Sequence, residues 1–328
     1  MIETRKLGQG DVRVGSIALG AMAFAGWYGS SDDDAGVHAI QRAIDEGITL
    51  IDTAEVYGRG KSEALVGRAI RDRRDRAVVA TKASMGSPAY LQEAIDRSLK
   101  HLGLDHVDLY YLHRVDAEVP IEDSVGAMAE MVRAGKVRAI GLSEAGPETI
   151  RRAHATHPIA ALQTEYSLLQ RDPERDLFPL TRSLGITFVA YSPLHRGLLT
   201  GKIRTPSDLP TGDWRAQVPR FQGANLTANV ARLGPLEDMA ARKGVSMASV
   251  ALAWILHKGE DLIPLVGMGR PENVDRNLEA TRVRLDDADM AALAAAFPIG
   301  CAAGPRYPDS AMASLGREAP PRRAPVGT

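Results

Sequence analysis

Asp52, Tyr57, Lys82 and His113 are the residues of this 328-residue sequence whose types and spacing fit a site for proton transfer. A phenol near its ordinary pKa of about 10 is a poor acid at neutral pH. A neighbouring ammonium favours the phenolate, which suits the phenol to general acid catalysis toward a developing alkoxide. Lys82 offers that ammonium, Asp52 can keep it charged and oriented, and His113 can donate a hydrogen bond that fixes a carbonyl oxygen. Taken singly, an Asp or a Tyr in such a loop caps a helix or fills a gap. The four together, at the ends of three successive apolar runs (GITLID, AVVATK and VDLYYLH), argue for chemistry.

Those runs read as β-strands, and the side chains need their rigid ends as mounts. The opening RKLGQGDVRVGSIALG predicts a β-hairpin around Gly8-Gln9-Gly10 that leads into a first barrel strand near 16–20. Strands follow near 48–52, 76–81, 106–112, 137–142, 160–163, 186–190 and 261–265. Helix-period stretches lie near 33–46, 61–73, 88–102, 121–134 and 146–156. Eight strands alternating with helices predict an α/β fold, a single-domain (β/α)8 TIM barrel, whose chemistry is assembled at the carboxyl ends of the strands. Ser87-Pro88 is the expected start of one helix, with the hydroxyl as cap, and Asp32-Asp33-Asp34 that of another. The barrel is expected over 1–300, and 301–328 as a carboxyl-terminal segment running into a frayed tail, APPRRAPVGT. The Gly- and Pro-rich stretch 194–224 is long for a connection in a compact domain and reads as a lid or binding loop.

Composition narrows the function classes. A net charge of −1 gives no global attraction to nucleic acid or to an anionic membrane. The single cysteine, Cys301, excludes an internal disulfide and fits a reducing, cytoplasmic setting. MIETRKLGQGD carries charges where a signal peptide needs an apolar run, and no window approaches a membrane-spanning length. No metal site is expected, since there is neither an HExxH pattern nor a cysteine pair. A proton donor alone does not reduce a carbonyl, so a hydride source is required. The Gly8-Gln9-Gly10 run is followed by Gly15, the wrong spacing for a Rossmann turn. Gly60-Lys61-Ser62 lacks the first glycine of a P-loop, because Glu55 stands there.

The same segments carry a resemblance. Ile51-Asp52-Thr53-Ala54-Glu55-Val56-Tyr57-Gly58, Ala80-Thr81-Lys82 and Tyr111-Leu112-His113 resemble the signature of the aldo-keto reductases. Leu19-Gly20-Ala21-Met22, Gly141-Leu142-Ser143-Glu144, Leu162-Gln163-Thr164-Glu165-Tyr166, Tyr191-Ser192-Pro193-Leu194 and Val266-Gly267-Met268-Gly269-Arg270-Pro271 follow in the family's order, from about residue 4 to about residue 300. The chain resembles a bacterial branch of the family similar to the potassium-channel β-subunit and auxin-induced-protein-like reductases. The resemblance implies an extended nicotinamide dinucleotide across the barrel mouth, with Ser143 and Gln163 on the carboxamide and Tyr191 stacked on the nicotinamide ring. Ser192, Leu194 and Arg196 would lie by the pyrophosphate.

At the adenosine end, Gly267 and Arg270 precede a helix whose amino terminus favours phosphate, and Arg270 could clamp a 2′-phosphate. NADP is expected over NAD, with Asn277 at the adenine. This chain departs from the pattern at Glu144, where many relatives have Asn, and at Arg276-Asn277, where many have Glu-Asn. Met22 and Trp27 are expected to line the carbonyl pocket. The implied function is NADPH-dependent reduction of a small-molecule aldehyde or ketone, or the reverse oxidation. A cofactor-binding regulatory subunit of the channel-β type is the alternative. A Schiff-base lyase built on Lys82 ranks last, because Asp52 would keep that amine protonated and non-nucleophilic.

Overall fold

The structure is a computed structural model that describes residues 2–26 and 32–322. Strands β1 (Thr4–Lys6) and β2 (Arg13–Gly15) pair antiparallel, with Arg5 opposite Val14. This is the expected hairpin, and it plugs one end of the barrel. Leu7 and Val14 pack against Ala18, Leu50, Ala80, Leu109, Ala161, Val189 and Ile263, which fill the interior. The Gly8 amide donates to Thr187 Oγ1 at 2.8 Å and pins the ribbon to the strand that carries Thr187.

Eight parallel strands then close on themselves: β3 (Ala18–Gly20), β4 (Leu50–Asp52), β5 (Val78–Ala83), β6 (Val107–Leu112), β7 (Val137–Ser143), β8 (Ile159–Glu165), β9 (Thr187–Tyr191) and β10 (Leu262–Gly267). The ring closes where β10 pairs with β3, Gly267 opposite Gly20. Interior positions are mostly small or β-branched, as a barrel of this strand number requires for its interior layers to fit. Tyr111 is the large exception. It fits because Gly141 on the adjacent strand has no side chain, and a Cβ there would lie 2.4 Å from the tyrosine ring.

The outer layer comprises α1 (Asp33–Asp45), α2 (Lys61–Ile70), α3 (Pro88–Leu102), α4 (Ile121–Arg133), α5 (Pro147–Thr156), α6 (Leu177–Leu184), α7 (Gly223–Ala231), α8 (Gly234–Lys243), α9 (Met247–Leu256), α10 (Pro271–Leu278) and α11 (Asp287–Ala296). Asp32 caps α1 by accepting from the amides of Asp34 and Ala35, as the acidic run led one to expect. Ser87 does not cap α3: its hydroxyl makes no bond to the first turn, and Pro88 starts the helix through its fixed φ. No single helix among the described residues is long and apolar enough to cross a membrane.

The carboxyl-terminal segment packs against the barrel before it reaches the tail expected to fray from Ala319. A short helix, α12 (Asp309–Met312), is followed by a run lying along α5. There the Gly146 amide donates to the Arg317 carbonyl at 2.9 Å, and the Glu318 carboxylate accepts from the amides of Glu148 and Thr149. Arg152 donates to the carbonyls of Ala319 and Pro320. Composition pointed to a frayed tail over 319–328; orphan amides at the amino terminus of α5 hold Glu318, and the Arg152 guanidinium holds the chain on to Pro320. Residues 323–328 lie outside the described residues. The loop 194–224 is built from short 3₁₀ turns, at His195–Thr200, Pro206–Asp208, Trp214–Gln217 and Pro219–Phe221.

Candidate active site

Asp52 ends β4, Lys82 lies one residue before the end of β5, and His113 follows β6 directly. Lys82 is fully buried, with its ammonium donating to Asp52 Oδ1 and, at 2.7 Å, to the Thr53 carbonyl oxygen. An ammonium has three donors, so one remains, and Nζ lies 5.1 Å from the centre of the Tyr57 ring. The His113 ring meets the Tyr57 ring edge-on, at 5.8 Å between centres and 84° between planes. The four residues expected to act together are therefore one cluster. Burial pushes the Lys82 ammonium below its ordinary value and the Asp52 carboxyl above, and their mutual attraction opposes both shifts. His113 is held well below the usual imidazole range by burial and by the charges of Arg114 and Lys82. At neutral pH it is a neutral hydrogen-bond donor.

Two tyrosines flank Lys82, and the structure distinguishes them. Tyr111 lies inside the barrel, 1% exposed, with its hydroxyl pushed well above the ordinary value by burial and by Asp52. Tyr57 stands in the loop beyond β4 and is partly exposed at the open face. Only Tyr57 combines contact with Lys82 and access from the mouth.

Around this cluster runs a buried ionic network. Glu144 accepts a two-pronged contact from Arg306, at 3.0 and 2.9 Å, and also accepts from the Glu165 amide. Burial alone would raise the Glu144 carboxyl, but Arg306 outweighs it and holds the group below its ordinary value. Arg196 donates to Glu165 at 2.8 Å, and its guanidinium lies 4.4 Å from the centre of the Tyr307 ring. Arg306 and Tyr307 come from the carboxyl-terminal segment beyond 300. No local signal marked them, because their partners lie far away in sequence.

The loops beyond β4, β7 and β9 also carry backbone strain. Arg59, Glu144, Ser192, His195 and Arg196 are non-glycine residues with φ between 49° and 54°. Each such residue costs about 1–3 kcal/mol and persists where the surroundings over-determine it, commonly at functional sites.

The remaining expected residues divide by position. Ser143 ends β7, buried, with its hydroxyl accepting from Arg114 at 3.2 Å. Gln163 on β8 donates from Nε2 to Asp52 Oδ2 at 2.9 Å, which ties the proposed carboxamide strand to the proton-donor cluster. The Tyr191 hydroxyl lies 3.2 Å from that of Tyr307. Ser192 and Leu194 follow in the strained turn after β9. Arg196, expected beside a pyrophosphate, is buried and gives buried Glu165 the counter-charge it needs. At the adenosine end, Gly267 is exposed, with open space where a side chain would stand. Arg270 is exposed at the amino terminus of α10, and Asn277 is buried within that helix. Met22 lies partly exposed in the 3₁₀ turn after β3. Trp27 lies outside the described residues. Among the described residues, no group of three or more His, Cys, Asp or Glu side chains is arranged to hold a metal ion.

The model of the Aldo/keto reductase family matches residues 16–297, most of the barrel. The chain belongs to this family. It is 41% identical over 319 residues to a probable aldo-keto reductase 1 of Glycine max, covering 93% of this chain and 92% of that one. The solved glycerol dehydrogenase of Gluconobacter oxydans superposes with a TM-score of 0.82 at 32% identity, covering 89% of this chain and 94% of the other. An aldo/keto reductase of Klebsiella pneumoniae, solved with NADP and acetate, superposes with a TM-score of 0.75 at 26% identity, over 94% and 99% of the two chains. This aldo/keto reductase is therefore an NAD(P)H-dependent oxidoreductase of carbonyl chemistry, built on the (β/α)8 barrel that its strand pattern predicts.

Proposed function

We propose that this aldo/keto reductase reduces an aldehyde or ketone with NADPH, and that Tyr57 delivers the proton to the carbonyl oxygen. The observation that carries the reading is the placement of Lys82. It is buried, held by Asp52 and the Thr53 carbonyl, and has one donor left in contact range of a partly exposed phenol. A bound NADPH supplies hydride to the carbonyl carbon. The residues of the chain do the rest: Tyr57 gives its proton to the oxygen, Lys82 stabilises the phenolate left behind, and neutral His113 orients the oxygen by hydrogen bonding.

The cleft fits a nicotinamide dinucleotide. Ser143 and Gln163 offer polar groups at adjacent strand ends, and Tyr191 offers an aromatic face. The turn that carries Leu194 is strained at Ser192, and Gly267 leaves open space in front of a helix amino terminus that Arg270 flanks. NADP is favoured over NAD by the exposed guanidinium of Arg270, and two solved Klebsiella pneumoniae relatives bear NADP or NADPH.

Tyr57→Phe tests the assignment. It is expected to lower carbonyl reduction by about 10²–10⁴-fold, the usual worth of a placed general acid, with NADPH binding nearly intact. Near-normal turnover in the Phe variant would remove Tyr57 from the mechanism.

A further inference from the structure

Several of the guanidinium groups turned inward at the barrel mouth meet a carboxylate. Arg306 meets Glu144, Arg196 meets Glu165, and Arg215 meets Asp213. Arg220, 3.9 Å from Glu165, is spent on Gln170, the Gly304 carbonyl and His195. Arg114 has no carboxylate bonded to it among the described residues. Its Nη1 donates to the His113 carbonyl at 2.6 Å and to Ser143 Oγ at 3.2 Å. Its Nε and Nη2 donate to nothing among the described residues, so one edge of the fork is unspent.

This residue is partly buried. Burial works against its charge, but its surroundings raise its pKa on balance, with Glu144 the carboxylate among them, and a guanidinium stays cationic at any ordinary pH. Its bonds to the His113 carbonyl, just beyond β6, and to Ser143, at the end of β7, place it at the open face beside His113. A partly buried cation whose free edge meets no carboxylate gains by taking up an anion there. The free Nε–Nη2 edge is planar and matches a carboxylate with two parallel N–H···O bonds.

We propose that Arg114 recognises a carboxylate on the substrate, so that this enzyme acts on oxo acids or carboxylate-bearing aldehydes, with the carbonyl presented to Tyr57 and His113. The proposal deepens the carbonyl-reduction reading and rests on it. Steady-state kinetics with NADPH on 2-, 3- and 4-carboxybenzaldehyde, each beside its methyl ester, tests it, because acid and ester share the carbonyl and differ in charge. The best acid is expected to exceed its ester in kcat/KM by about 10- to 100-fold, the range of a charge-assisted contact. Arg114→Gln should bring that ratio near one, mainly through KM on the acid, and Arg114→Lys should recover part of it.

Equal losses on acid and ester, a parent preference for the esters, or a matching loss of NADPH affinity in Arg114→Gln would overturn the proposal; the last would make Arg114 a cofactor residue. Calorimetric titration of benzoate into the NADP-loaded protein gives a second readout that does not depend on turnover. Saturable binding that Arg114→Gln abolishes supports the carboxylate site, and no binding by the parent refutes it. Failure of the parent to reduce any aldehyde, with benzoate binding intact, would instead sink the carbonyl-reduction reading.

Discussion

At the scale of single residues, the site depends on one buried charge pair. Removing Lys82 alone leaves the Asp52 carboxylate buried without its partner, which typically costs about 3–5 kcal/mol. Lys82→Met is therefore expected to lose both stability and carbonyl reduction. Adding Asp52→Asn removes the stranded charge, and an Asn carbonyl can still accept from Gln163 Nε2, the present donor to Asp52. The double variant should regain most of the melting temperature of the parent while activity stays lost. Unfolding curves and NADPH oxidation rates, measured side by side, separate the two effects. Reductase activity with an unchanged pH profile in Lys82→Met would show that the ammonium does not set the proton donor.

At the scale of elements, strands fix the chemistry and helix ends handle charge. The amino terminus of α10 presents unsatisfied amides beside exposed Arg270, behind the open approach of Gly267. Arg270→Ala should weaken NADPH binding by about 1.5–3 kcal/mol, the worth of a charge-assisted hydrogen bond. NADH, which has no 2′-phosphate, should bind almost as before. Dissociation constants from fluorescence quenching decide it. Equal weakening of both cofactors would mean that Arg270 shapes the loop, and a parent preference for NADH would end the NADP assignment. The helix α5 uses its own terminus differently, capturing Glu318 and so anchoring the segment that delivers Arg306 and Tyr307 to the mouth.

At the scale of the whole molecule, the buried network sets the acid limit of stability. His195 is fully buried, with Arg220 Nη1 donating toward its Nε2 at 3.2 Å and Ser167 Oγ 3.2 Å from its Nδ1. A guanidinium facing Nε2 requires that nitrogen to be an acceptor, so the ring is neutral. Burial, followed by the charges of Arg220, Arg196 and Arg306, holds it well below the usual imidazole range. The unfolded chain takes up this proton as pH falls through about 6.5, whereas the folded protein does not. Stability that is present above that pH is thus lost below it, by up to about 1.4 kcal/mol per pH unit. Between pH 6.5 and 5 the parent should lose about 2 kcal/mol more than His195→Gln, read from urea unfolding at each pH. Parallel stability curves for parent and variant would show that His195 protonates in the fold.

The sequence by itself determined the barrel and the clustered four. Strand and helix periodicities are local, and Asp52, Tyr57, Lys82 and His113 each sit in or beside a strand that its own apolar run defines. Once eight such strands close, their carboxyl ends must share one face, so the cluster follows from short-range patterns. Only the tertiary structure decided the lining of the mouth. Arg306 and Glu144 lie 162 positions apart, and nothing near either residue announces the other. The pairing of Arg196 with Glu165, the anchored carboxyl-terminal segment and the unspent edge of Arg114 all arise from charges that had to find partners after the chain had closed. Pairing of buried charge is settled by proximity in space, whereas strand placement is settled by the spacing of apolar residues along the chain.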